Sequence, residues 1–278
     1  LHYGYTGQLM NERDKYNRNL ALLEQARDRE PENPFHYFNL GLTHRVQHEE
    51  SKALAYFQRA VELCTAKDIF PPYMSATYCY IASLHLALGE FATALEVCET
   101  APDMCHDNPD YWVNYGTACN SLGNYTEAIE KFKRASALRR QGFTSMVSDR
   151  AATTWKPLAG IGNSYLMLQR PEQADLYFRR ALRENPHSAE IRIGLGRLAL
   201  FRQRYDEAEG YFQALLAMPH LDGELQHMVA LELIRTLLHQ GQETLAEERL
   251  VAFIAQADLP ETVRKLAQAD LGTLYLRQ

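Results

Sequence analysis

The sequence predicts an all-α protein, a string of helical hairpins stacked side by side. Three observations point there. The stretch 107–138, DNPDYWVNYGTACNSLGNYTEAIEKFKRASAL, reads as two amphipathic runs joined by Gly123-Asn124. Looser copies of it recur along the chain. Successive copies starting at 75 and 109, and at 155 and 189, lie 34 residues apart. A fixed period of this length marks repeats that bury their apolar flank only against a neighbour, so consecutive hairpins form a solenoid.

The central unit shows why each run is helical. Asn108 is placed to cap the first run, with Pro109 at the first helical position, where a missing N–H costs nothing. Trp112, Tyr115, Gly116 and Cys119 then fall on one helical face. In the second run Ala128, Phe132 and Ala135 form the face that packs back. Large residues meet small ones, so two antiparallel helices approach closely without leaving a void.

Composition narrows the class. With 278 residues a single core is near its size limit, which favours two domains or an extended array. A net charge of −6 argues against a general nucleic-acid binder, which needs a basic stripe. No apolar run approaches the ~20 residues of a membrane span, and no secretory leader pattern opens the chain. Cys64, Cys79, Cys98, Cys105 and Cys119 form an odd set without C-x-x-C spacing. They suit a reducing, cytoplasmic setting. The chain opens on Leu1, which suggests a removed leader or a piece of a longer protein.

Taken in order, 1–9 (LHYGYTGQL) has no helical period, and a helical pattern runs from Met10 towards Pro31 with Leu20, Leu22, Leu23 and Ala26 on its apolar stripe. Hairpins are expected at about 34–65, 75–101, 109–138, 155–186, 189–219 and 227–257. A lone first helix carrying Leu271-Gly272 and Tyr275 follows. The steps from 34 to 75, 109 to 155, and 189 to 227 exceed 34 residues. Their surplus lies in TAKDIFPPY, RRQGFTSMVSDRAAT and PHLDGE, as longer second helices or inter-repeat loops.

Trp112, Tyr115-Gly116, Ala128 and Phe132, and in the next unit Ile161-Gly162, Tyr165, Ala174, Phe178 and Pro186, resemble the tetratricopeptide pattern. The likeness covers nearly the whole chain. It implies a right-handed superhelix whose concave groove, lined by first helices, binds a protein or peptide. Outward positions of the first helices give Tyr80, Asn114, Thr117, Asn120, Lys156, Asn163, Arg197 and Arg235 as groove candidates, with Phe38 towards the N-terminal end. Amides and arginines suit an extended backbone or an acidic tail. The alternative is that these positions are simply solvated. The Lys/Asn set that clamps chaperone tails is not visible.

Catalytic signatures are missing. His44 and His48 are four apart, a spacing that can ligate a metal, yet no H-E-x-x-H occurs and His44 sits where the repeat wants an aromatic. Cys105-His106 lacks a second ligand pair. Gly194-Leu195-Gly196 with Ala199 mimics a dinucleotide fingerprint but lies inside a helical repeat, where close packing explains the glycines. This chain is not expected to be an enzyme, and no catalytic residue or cofactor is assigned to it.

The head of the chain is not explained by the repeat. His2-Tyr3-Gly4-Tyr5, followed by Lys15, Arg18-Asn19-Leu20 and Leu22-Leu23, resembles the junction between the catalytic domain and tetratricopeptide tail of bacterial family 2 glycosyltransferases. That resemblance implies a parent enzyme of GT-A fold with a nucleotide-sugar and Mn²⁺ or Mg²⁺. Residues 1–9 would close its catalytic domain, 10–33 would be a linker or capping helix, and 34–278 an array of about six repeats plus a half-repeat. His2 would be the one residue able to reach the metal. The family's metal-binding D-x-D is absent here. The repeats would then bind the acceptor or mediate self-association, including a homodimer; the alternative is a stand-alone adaptor.

Overall fold

The computed structural model describes residues 4–139, 150–218 and 221–276, with side chains described from residue 17 onward. Among the described residues there are fourteen α-helices and no strand. They divide into two compact units, 1–122 with 140–149, and 123–139 with 150–278, the cut passing through the turn after Ser121.

Unit 1 holds α1 (Gly4–Arg29), α2 (Pro34–Val46), α3 (Glu50–Ala66), α4 (Tyr73–Ala87), α5 (Phe91–Thr100) and α6 (Pro109–Ser121). Unit 2 holds α7 (Tyr125–Leu138), α8 (Trp155–Met167), α9 (Pro171–Glu184), α10 (Ala189–Phe201), α11 (Tyr205–Leu216), α12 (Gly223–His239), α13 (Glu243–Ile254) and α14 (Glu261–Tyr275). Within unit 1, α2 pairs with α3 and α4 with α5 as hairpins; within unit 2, α8 pairs with α9, α10 with α11 and α12 with α13, and α14 follows alone. Each unit is therefore a stack of helix-turn-helix repeats, first helices touching first helices from α8 through α10 and α12 to α14.

Three expectations are corrected. The first helix begins at Gly4 instead of Met10, because Leu1–Leu9 has turn-like composition but no proline to stop a helix growing backwards from the strong pattern that follows. The surplus in PHLDGE lengthens a first helix, α12, which starts at 223 because Asp222 accepts from the N–H groups of Glu224 and Leu225. The first helix placed at 75 starts at Tyr73; as expected, the surplus after the first hairpin partly extends a second helix, α3. RRQGFTSMVSDRAAT falls mostly outside the described residues.

The hairpin turns show the repeat in the backbone. His48, Gly89, Gly123, Gln169, Gln203 and Gly241 take positive φ, one per turn. Where the bond is described, the next residue's N–H reaches back five residues, as Glu49 to His44, Glu90 to His85, Arg170 to Tyr165, Arg204 to Ala199 and Gln242 to Leu237. This is the left-handed C-cap of a Schellman turn, which closes the last carbonyls of each first helix. Five residues past each turn stands an alanine, Ala53, Ala94, Ala128, Ala174, Ala208 and Ala246, every one of them buried.

Packing then follows a large-into-small rule. A β-carbon on Gly162 would lie 2.8 Å from the Phe178 ring, and one on Gly194 would lie 2.4 Å from the same ring, both against its Cδ1–Cε1 edge. Phe178 is thus held between its own hairpin and the next. Gly41 meets Phe57, Gly196 meets Phe212 and Gly160 meets Phe132 in the same way. The Gly194-Leu195-Gly196 run serves helix packing, as read from the sequence. Unit 2 accordingly carries three successive cores, around Phe178 and Ile191, around Phe212 and Val229, and around Leu250 and Val263, each joining one hairpin to the following first helix.

Candidate functional site: the first-helix faces

The turns give a common register for the first helices. Counting back from each positive-φ residue, the sixth is Leu42, Ser83, Thr117, Asn163, Arg197 or Arg235, and the ninth is Asn39, Tyr80, Asn114, Gly160, Gly194 or Glu232. Successive first helices meet through these two positions. Arg197 Nε and Nη2 donate to Glu232 Oε1 at 2.9 and 2.5 Å. Arg235 donates to the same oxygen at 2.9 Å and straddles Asp270 with bonds of 2.7 and 3.3 Å. Glu232 is 3% exposed. In that setting a charge requires full pairing, and Glu232 has two guanidinium partners. The Arg235 guanidinium is held above its ordinary value, desolvation being outweighed by its bonds to Asp270 and Glu232.

Unit 1 bridges its first helices differently. Asn114 donates to the Cys79 carbonyl at 2.8 Å, which anchors α6 to α4. Tyr80 lies 5.2 Å from the Phe57 ring and carries the Arg45 guanidinium 4.6 Å above its own. Burial raises the Tyr80 phenol, with Arg45 opposing. Phe38 and Tyr73 stack at 4.8 Å and continue the rings towards Phe35.

The remaining candidates are less committed. Thr117 returns its hydroxyl to the Val113 carbonyl of its own helix. Asn120 and Lys156 are half-buried, and Lys156 sits 5.9 Å from the Trp155 ring. Asn163 is half-buried and its side chain has no hydrogen bond to a described residue. In the register that pairs Arg197 with Glu232, the position opposite Asn163 is Gly194, which has no side chain to answer it. Beside this gap stands Glu190, solvent-accessible yet desolvated enough that its carboxyl is raised, with Lys156 pulling the other way. His2 lies outside the described residues.

The sequence reading missed Glu232, Asp270, Glu190 and Arg45. A signal existed for two of them: Arg197 to Glu232 and Arg235 to Asp270 share one offset of 35 residues, close to the repeat period.

The two suspected metal motifs are structural. Helix α2 ends at Val46, so His48 sits in the turn with φ 56° and does not share a helical face with His44. His44 is buried, stacked 5.1 Å from Tyr56, and its Nδ1 lies 2.5 Å from Glu49 Oε2. His85 repeats the bond to Glu90 at 2.6 Å, where each pair ties a first helix to the start of the second. Cys105 is buried with its thiol pushed up to about 11 by desolvation, and the carbonyl of His106 accepts from Trp112 at 2.7 Å. All five cysteines are buried and none forms a disulfide. Among the described residues no helix is long and apolar enough to cross a membrane, and no cluster of three potential metal ligands occurs.

With the repeat geometry in place, the family follows. The model of the tetratricopeptide repeat matches residues 12–68, 80–142 and 160–223, most of the chain. The chain belongs to the tetratricopeptide repeat family. Its first matched segment takes in most of α1, the helix read from the sequence as a linker. Solved structures agree on the fold. The Cut9–Hcn1 hetero-tetramer of APC/C aligns over 90% of this chain and 45% of its own, at 18% identity and a TM-score of 0.64. The human IFIT1 dimer with PPP-AAAA aligns over 94% and 60%, at 17% identity and a TM-score of 0.64. A tetratricopeptide repeat protein from Parabacteroides merdae aligns over 88% and 86%, at 17% identity and a TM-score of 0.58. The chain thus spans less than two thirds of the first two. No curated protein matches it.

Proposed function

We propose that this tetratricopeptide repeat chain is a non-catalytic scaffold that binds a protein or peptide on its first-helix faces. One observation carries the reading: the ladder of side chains joining the first helices of unit 2 is interrupted at Asn163. There the register sets a half-buried amide opposite a glycine, Gly194, where the next rung has Glu232. An amide both donates and accepts, and that is what an extended backbone presents. Lys156 and Glu190 flank the gap and can orient a chain by its polar side groups. Arg197 and Arg235 are neutralised by Glu232 and Asp270 and hold this frame in place. If a panel of displayed peptides is selected on the chain, Asn163→Ala is expected to weaken their binding about tenfold. Binding left unchanged on the first-helix faces of both units, by Asn163→Ala and Arg197→Ala in one and by Tyr80→Ala in the other, would sink the reading.

We propose further that these repeats form the C-terminal part of a family 2 glycosyltransferase, serving acceptor binding or self-association. The support is the resemblance of residues 1–35, His2-Tyr3-Gly4-Tyr5 and the Lys15 to Leu23 stretch above all. The nucleotide-sugar and the Mn²⁺ or Mg²⁺ would belong to the parent's other domain, since the D-x-D is absent from this chain. The full-length chain is expected to hydrolyse a nucleotide-sugar with Mn²⁺ while residues 1–278 alone do not. An inactive parent with no α/β domain ahead of Leu1 would instead establish a stand-alone adaptor. Light scattering on the same two samples decides whether the repeats carry the self-association.

A further inference from the structure

Helix α2 is apolar on two sides. One side, with Phe38, Leu40 and His44, is buried in the repeat core. The other carries Phe35 and Val46, which fall on one line and mark a stripe along the helix, with polar Asn39 and the core-packed Leu42 between them. Phe35 is 48% exposed and Val46 70% exposed. The rings of Phe35 and Tyr73 lie 5.4 Å apart, which carries the stripe across onto α4. Two large apolar residues left this exposed on one line make a surface that a partner can cover.

About a quarter-turn from that line, next to Val46 in the chain, stands an unusual charge. Arg45 is exposed and lies over the Tyr80 ring, and no carboxylate pairs with it among the described residues. Glu49, the nearest acid in the chain, lies against His44 and Lys52. The contrast with unit 2 is direct, because Arg197 and Arg235 there already have their carboxylates. A guanidinium seated on an aromatic face keeps its N–H edge free for a carboxylate while its plane is satisfied by the ring.

We infer that Arg45, Tyr80 and the Phe35–Val46 stripe dock an extended segment of a partner protein that carries apolar side chains around an acidic residue. This rests on the reading that first-helix faces bind protein segments, and it places the acid-reading site in unit 1, away from the two more numerous arginines of unit 2. Apolar side chains would cover the stripe and the carboxylate would bridge to the Arg45 fork.

The test is a random 12-residue peptide library displayed on phage and selected against the chain, followed by titration of the enriched peptides. The expected peptides carry Asp or Glu beside Leu, Ile, Phe or Pro. They should lose about tenfold or more in affinity with Arg45→Gln and with Val46→Asp, and keep it with Arg249→Gln on exposed α13. Circular dichroism on each variant checks that it folds. Enriched peptides without an acid, or peptides that bind Arg45→Gln as well as the parent, overturn the inference. If those peptides respond to Asn163→Ala, the scaffold reading survives and only the unit 1 site falls. No enrichment at all removes both. A dimer that Val46→Asp dissociates in the absence of peptide makes a second copy the occupant and also overturns the inference.

Discussion

In unit 1 the side chains that bridge successive first helices are rings and amides, Tyr80 under Arg45 and Asn114 on the Cys79 carbonyl. In unit 2 they are ions, Arg197 and Arg235 sharing the buried Glu232 and ending on Asp270. Tyr80, Asn114 and Glu232 hold the same register position, the ninth before the turn, while the groups that meet them sit at different ones. The lesson is that a repeat fixes where neighbours touch and leaves free what touches. An arginine in this register is therefore a ligand residue only where the next helix fails to supply its carboxylate.

The comparison extends to the core, where the largest effect is expected. Phe178 sits between Gly162 and Gly194, so Phe178→Ala should cost about 3–5 kcal/mol in urea unfolding, from lost transfer energy plus a cavity the backbone cannot close. At the same register in unit 1 stands Cys98, and Cys98→Ala should cost about 1 kcal/mol. Equal costs would mean that the two units do not share the packing rule.

Arg235→Ala comes next. It leaves Glu232 with one partner and Asp270 with none, and should destabilise unit 2 by about 2 kcal/mol, less than a fully buried pair because Arg235 is 24% exposed. Raising salt to about 1 M should narrow the gap between Arg235→Ala and the parent. Tyr80→Leu in unit 1 should show no such salt dependence. A salt-independent Arg235→Ala loss would show that the arginine acts by packing alone.

Smaller still are the turns. Gln169 and Gln203 hold φ of 56° and 58° where unit 1 uses Gly89. Gln203→Gly should therefore raise stability by about 0.5–1 kcal/mol, since glycine adopts that conformation without a Cβ clash. A loss in thermal unfolding would mean the glutamine side chain contributes what the backbone costs.

The smallest effect concerns pH. The Glu190 carboxyl is raised by desolvation, so its charged form is disfavoured in the folded state and opposes folding above its ordinary value of about 4.3. Glu190→Gln should raise the melting temperature at pH 7 and leave it unchanged once the carboxyl is protonated in both states. Glu49 in unit 1 is the opposite case, lowered by Lys52 and then His44. Its contribution is present above the unfolded value and is lost as pH falls through the folded one. Glu49→Gln should flatten that acid-side loss.

Much of the fold was legible from local signals. The helical period, the Asn108 cap, the glycines at 89, 123 and 241 and the Phe/Gly alternation each act within one hairpin or between adjacent ones, and they agree with one another. The hairpins that lie within one unit, α2/α3, α4/α5, α8/α9, α10/α11 and α12/α13, stand close to where the spacing put them. The start of α1 was not legible, because a helix extends by cooperative propagation through residues of poor propensity when nothing blocks it. The start of α12 was missed because Asp222 is a cap only once the chain before it has turned.

The site was legible as positions and not as roles. Sequence spacing placed Tyr80, Asn114, Asn163, Arg197 and Arg235 on the first helices, since a helical period sets which side chains share a face. Whether each is open to a ligand depends on the residue about 35 positions further on, in the next repeat, and only tertiary packing decides that. Amino-acid order alone determined that this chain stacks hairpins, because every unit has a greasy flank and a matching gap. Three-dimensional packing decided that two arginines are bound to Glu232 and Asp270 while Arg45 rests on Tyr80, because charges are paired by distance and desolvation, which no single helix contains.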